Sequence, residues 1–126
     1  MAFSTSVSYV VTVNGGAANQ FAFTVPYDGE SAASVTIPAS ASNFAVNLAF
    51  DDASLQSFVM WANADMTVVF KDSGASTVAS YTLVANNPVI WNVDQGAANP
   101  FSAAVAQALV TSTAGGVLTI YAGNDI

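Results

Sequence analysis

A chain of 126 residues with one lysine, eight acids and no arginine, histidine or cysteine holds few of the side chains with which proteins do chemistry. Its charged share of 7% falls far below the roughly 25% of an ordinary soluble domain, and Ser, Thr, Asn, Gln and Ala stand where charge would be. A formal net charge of −7 repels phosphate backbones and anionic lipid, which argues against nucleic-acid and membrane partners.

The dominant period along the chain is two. Val7, Tyr9, Val11 and Val13 alternate with Ser6, Ser8, Val10 and Thr12, as a strand with one buried face requires. Asn14-Gly15-Gly16 offers residues that tolerate positive φ in a turn, and Phe21, Phe23, Val25 and Tyr27 mark a second strand closed by Asp28-Gly29. A third strand holds Val35 and Ile37 and ends at Pro38. A fourth sets Phe44, Val46, Leu48 and Phe50 on one face. Asp51 or Asp52 then caps a single helical turn that tucks Leu55 under the sheet, because a carboxylate satisfies the first free amides of a helix. Strands resume over 57–62, 66–71 and 77–83, joined by Asn63-Ala64-Asp65 and Asp72-Ser73-Gly74, and Val89-Ile90-Trp91 follows Asn86-Asn87-Pro88. After a long loop, 92–100, come strands over 106–111 and 117–121, which Gly115-Gly116 is expected to join as a hairpin.

About nine or ten short strands with frequent turn signals predict an all-β fold, an antiparallel β-sandwich or compact jelly roll, with 1–126 as a single domain. One short echo, Gly16-Ala17-Ala18-Asn19-Gln20-Phe21 against Gly96-Ala97-Ala98-Asn99-Pro100-Phe101, reads as shared loop chemistry rather than a repeat.

The chemical inventory is short. A Ser or Thr nucleophile needs a base, and the chain offers only Lys71, which beside Asp72 reads as a solvated hairpin charge. Zinc and other soft metals find no His or Cys. The pairs Asp51 with Asp52 and Asp28 with Glu30 have the oxygens for glycoside hydrolysis or calcium, but turn and cap duty explains each better. No catalytic residue, metal site or cofactor is expected, and the chain reads as a non-enzyme. Trp61, Trp91, Tyr9, Tyr27, Tyr81 and Tyr121 can build a sugar-stacking platform, yet their alternating places in apolar strands favour core packing, which a surface trio would reverse.

The stretch Pro88-Val89-Ile90-Trp91-Asn92-Val93-Asp94-Gln95-Gly96-Ala97-Ala98-Asn99-Pro100-Phe101, with the strands after it, resembles small virion proteins of tailed bacteriophages. So does the middle, where Phe44-Ala45-Val46-Asn47-Leu48-Ala49-Phe50 runs into Asp51-Asp52-Ala53-Ser54-Leu55-Gln56-Ser57-Phe58. The resemblance is closest to head decoration, or cement, proteins. It implies a homotrimer seated on the outer capsid surface, with the major capsid protein as partner and the virion as location, after assembly in the host cytoplasm. The N-terminal Met1-Ala2-Phe3-Ser4-Thr5, which has neither a cationic nor an apolar leader region, fits that expectation. Unlike most such proteins, the chain is poor in Lys and Arg, so docking through basic residues does not carry over.

A surface of neutral polar residues costs little to desolvate, which suits broad contact with protein. Within it, the loop 92–100 is longer than a hairpin needs, and Asp94, Gln95 and Asn99, with Phe101 nearby, are the expected contact residues. Two alternatives stay open: a phage tail or fibre component, and a carbohydrate-binding or adhesion module.

Overall fold

The period of two in the sequence becomes strand pairing along most of the chain. A computed structural model describes residues 3–12, 18–27, 29–94 and 96–124, with side chains described within 32–94 and 96–124. β1 (Phe3–Thr12) and β2 (Ala18–Tyr27) form an antiparallel two-stranded hairpin. β3 (Gly29–Ile37), β4 (Ala41–Val46), β5 (Leu55–Ala62), β6 (Met66–Lys71), β7 (Thr77–Leu83), β8 (Val89–Asn92), β9 (Gln107–Ser112) and β10 (Gly116–Asn124) follow. They build two four-stranded sheets, in the orders β3-β10-β5-β8 and β4-β9-β6-β7.

Pairing in these sheets is nested. β6 pairs with β7, β5 with β8, β4 with β9 and β3 with β10, all antiparallel, as if one long hairpin had been rolled over on itself. The β6–β7 turn joins neighbours, and every other connection from β3 onward crosses between sheets. The result is an all-β sandwich with the winding of an eight-stranded jelly roll.

Alternation decides what lies between the sheets. Phe58, Met60 and Ala62 of β5 and Leu118, Ile120 and Ala122 of β10 face Met66, Val68 and Phe70 of β6 and Ala108 and Val110 of β9, all buried. Phe58, Met60, Val68, Phe70 and Ile120 have no exposure at all. The expected fourth strand is half right: Val46, Leu48 and Phe50 are all buried, but the ladder stops at Val46. The chain pairs again only at Phe50, which exchanges backbone hydrogen bonds of 3.1 and 2.8 Å with Val105. β1 and β3 begin earlier than expected, β3 because Ala32, Ala33 and Ser34 give a weak pattern. The Asn14-Gly15-Gly16 and Asp28 turn readings lie largely outside the described residues. The capped turn is present as a 3-10 turn, Asp52–Ser54, with Asp51 Oδ1 accepting from the Ala53 amide at 3.1 Å and Leu55 buried.

Gly115-Gly116 is not a hairpin. β9 and β10 lie in opposite sheets, and the glycines carry the chain over the β3–β4 crossover. Gly115 has φ +72, and a Cβ there would stand 2.6 Å from the Ile37 carbonyl oxygen and 2.7 Å from the Ala39 nitrogen. Its N–H donates to Ser112 Oγ at 3.0 Å, and that hydroxyl donates to the Asp65 carbonyl at 2.9 Å. Gly-Gly signals a backbone that needs positive φ, which is silent on which sheet receives the next strand.

Two measurements check this account of the fold. Gly115→Ala should cost more than about 2 kcal/mol in chemical denaturation, because both the conformation and the space are wrong. Gly96→Ala is the control: φ is +82 there but nothing lies within 4 Å, so only the left-handed penalty of about 1 kcal/mol applies.

The second concerns Tyr81, which stacks on Phe58 at 6.4 Å and meets Phe70 edge-on at 6.1 Å. Burial pushes its phenol above the ordinary 10.0. Above pH 10 the unfolded chain therefore loses the Tyr81 proton more readily than the folded one, and stability falls as pH rises. Tyr81→Phe removes this contribution, so its stability relative to wild type should be flat below pH 9 and rise above about pH 10.

Candidate interaction face

The outer face of the β3-β10-β5-β8 sheet is built by the residues that alternate with the core. Register sets Ala32, Tyr121, Val59 and Ile90 in one row across the four strands, Ser34, Thr119 and Trp61 in the next, and Thr36 with Val117 beyond. These positions carry no charge. Trp61, Val117 and Tyr121 are 37%, 39% and 41% exposed. Trp61 and Tyr121 are diagonal neighbours on adjacent strands, and their rings lie 6.3 Å apart at an interplanar angle of 19°.

The opposite end of the same face is closed. Ser57 and Asn92 are buried at outward register positions, as is Gly123, and β2 of the N-terminal hairpin comes up against β5 and β10. Ser57 Oγ and Asn124 Oδ1 are buried there without a hydrogen-bond partner among the described residues.

Core packing is the favoured expectation for the six aromatic residues, most of which alternate in apolar strands, and two of them depart from it. Trp91 is buried and Tyr81 packs against the core, but Trp61 and Tyr121 stand on the outer face. The side chains of Tyr9 and Tyr27 lie outside the described set. A signal was available, because β5 is apolar on both faces, with Phe58, Met60 and Ala62 alternating with Val59 and Trp61. A half-buried strand shows a polar second face, so an apolar one is a departure visible in the sequence, although it does not say whether core or solvent lies over it.

The loop between β8 and β9 gives the expected contact residues different surroundings. Asp94 is exposed, its amide donating to Asn92 Oδ1 at 3.0 Å, and Gln95 lies outside the described residues. Asn99 is exposed but engaged: Nδ2 donates to the Asp52 carbonyl and Oδ1 accepts from the Phe101 amide, both at 2.9 Å. Trp91 Nε1 donates to the Ala97 carbonyl at 3.1 Å. Phe101, expected near a contact surface, is 3% exposed. Its ring lies 4.9 Å from those of both Phe50 and Phe58 and 5.2 Å from that of Phe70, so it is a core residue with nothing to offer a partner. The hydrophobic gain of burying a phenylalanine outweighs any role it could have in an exposed loop.

Two further carboxylates, besides that of Asp51, have local partners. Asp72 Oδ1 accepts from the amides of Gly74 and Ser76 at 2.9 Å each, and Asp65 Oδ1 from Ala85 at 2.9 Å. Lys71 Nζ donates to Thr77 Oγ1 at 2.7 Å. A groove of about 250 Å³ runs beside Asp65 on the other sheet, lined by Thr67, Thr82 and Thr111, with Asp65 as its titratable group. Among the described residues no three acids gather as metal ligands, and no helix is long and apolar enough to cross a membrane.

Comparison with protein-family models, with curated proteins and with solved structures gave no match.

Asn99 is the residue on which the loop depends. Asn99→Ala should lower stability by about 1–2 kcal/mol, the net worth of two hydrogen bonds at an exposed site. Hydrogen exchange of the Phe101 amide should quicken with it, because that amide loses its acceptor.

Proposed function

We propose that the chain is a non-enzymatic structural protein of a phage virion, a head decoration protein that grips the major capsid protein through the outer face of the β3-β10-β5-β8 sheet. The observation that carries this reading is the exposed trio Trp61, Tyr121 and Val117 in outward rows of the sheet that hold no charged residue. Exposed aromatics at the centre of a neutral patch are what binding hot spots are made of, and Ser34, Thr36 and Thr119 around them lose little on desolvation. A protein that holds a shell together needs such a surface in many copies, and modest contacts add up when each shell carries many. The sequence resemblance to cement proteins supports the same reading.

A second reading has one specific observation in its favour. Two near-parallel aromatic rings beside the Thr119 and Ser34 positions offer a sugar both apolar faces and hydroxyl partners. The chain would then be a glycan-binding module.

One pair of substitutions separates them. Trp61→Ala with Tyr121→Ala should reduce occupancy on heads assembled without the protein by about tenfold or more, while the thermal transition stays cooperative. Occupancy of the wild type should hold when sodium chloride rises from about 0.1 M to 1 M, because apolar contacts are weakly screened. Full occupancy by the double variant, with tryptophan fluorescence responding to neutral oligosaccharides in the wild type alone, would move the function to glycan binding.

A further inference from the structure

Each sheet of a sandwich leaves two edge strands, and each edge shows unpaired N–H and C=O groups that can template another strand. Three of the four edges here carry a known protection. β8 is only four residues long. β4 is broken by a register shift between Ala41 and Phe44, with Ser40 and Asn43 in left-handed conformations. β7 begins where Lys71, the single cation of the chain, reaches over to Thr77, beside a register shift between Phe70 and Lys71.

β3 has none of these. It runs nine residues, Gly29–Ile37, in unbroken register with β10 and, among the described residues, with no strand on its other side. Between Ser31 and Ile37 it holds no charge and no proline. Ala32, Ser34 and Thr36 are exposed and too small to obstruct a neighbour.

The sequence of β3 also suits a copy of itself. Antiparallel partners share a face, so self-pairing must centre on one residue. Centred on Ala33, Ala32 stands opposite Ser34 and Glu30 opposite Thr36; centred on Ser34, Ala32 stands opposite Thr36 and Glu30 opposite Pro38. Both registers keep the two Glu30 residues at opposite ends of the ladder, so a chain of net charge −7 brings no like charges together across the pairing.

We propose that β3 is a self-association edge: two copies pair β3 to β3 about a twofold axis and join their β3-β10-β5-β8 sheets into one continuous sheet. Such an isologous contact makes dimers, which distinguishes it from the threefold assembly implied by the sequence resemblance. It is independent of what the outer face binds.

Sedimentation of the full chain from roughly 10 μM to 1 mM tests the pairing, with a dimer expected. Ser34→Lys sets lysines opposite or diagonal to each other in either register and should weaken dimerisation about tenfold or more, whereas Thr82→Lys on the β7 edge should not. Because the chain has no cysteine, Ala33→Cys and Ser34→Cys each introduce a single thiol that stands opposite its own copy in one of the two registers, and one of the two should cross-link into dimers under oxidation far faster than Thr82→Cys. This second readout decides the matter if Ser34→Lys fails to fold. A wild-type monomer throughout, a trimeric mass, or cross-linking at both positions 33 and 34 no faster than at 82 would overturn the proposal.

Discussion

The ring of Phe101 is what the two sheets close upon. It enters from the loop between β8 and β9 and meets Phe58 of β5, Phe70 of β6 and Phe50 of the β4–β5 crossover, with Tyr81 of β7 at 6.4 Å. The contacts run edge to face at 73° to 90° with the three phenylalanines, the arrangement in which ring quadrupoles attract. One side chain thus ties both sheets to the longest of the described loops. The loop is in turn held by Asn99 on Phe101 and on Asp52, and by the Trp91 indole on Ala97. A long connection without secondary structure is tolerable here because its apolar anchor is buried and its backbone has partners.

The few charges are placed by the same economy. Asp51, Asp65 and Asp72 each sit in a turn or cap with a carboxylate oxygen on a backbone amide. A short acidic side chain can do in a turn what a ladder does in a strand, which is to satisfy an amide that has no other partner. With the acids used in this way, strand interiors are left to Ala, Ser, Thr, Val and aromatic residues, and the outer sheet faces come out nearly free of charge.

Much of this was legible in the sequence, for local reasons. Alternation located most of the strands, and in the fourth it named the buried side even at Leu48 and Phe50, where the ladder itself stops. The pair Asp51-Asp52 announced a cap without saying which of the two makes it, and Asp72-Ser73-Gly74 announced its hairpin. What alternation could not carry was the partner of each strand, because a period of two says that a face is buried and nothing of what buries it. The Gly115-Gly116 error follows from this: a hairpin and a crossover both demand a backbone that tolerates positive φ. The misplacement of Phe101 and of the Trp61–Tyr121 pair has the same root. Apolar character is common to a core and to a contact surface, and only the three-dimensional neighbours tell one from the other.

The distribution of charge also limits how another molecule can approach. The nested winding puts the loops 47–54, 72–76 and 93–106 at one end of the sandwich, so that Asp51, Asp52, Asp72 and Asp94 share that end with Lys71 alone to offset them. The opposite end holds Asp65. Within a Debye length of roughly 10 Å at 0.1 M salt, two copies meeting acidic end to acidic end repel, whereas contact through an outer face or along β3 brings no such opposition. Any association is thereby disfavoured at the ends relative to the neutral faces and the β3 edge, a form of orientation that needs no complementary charge on the partner.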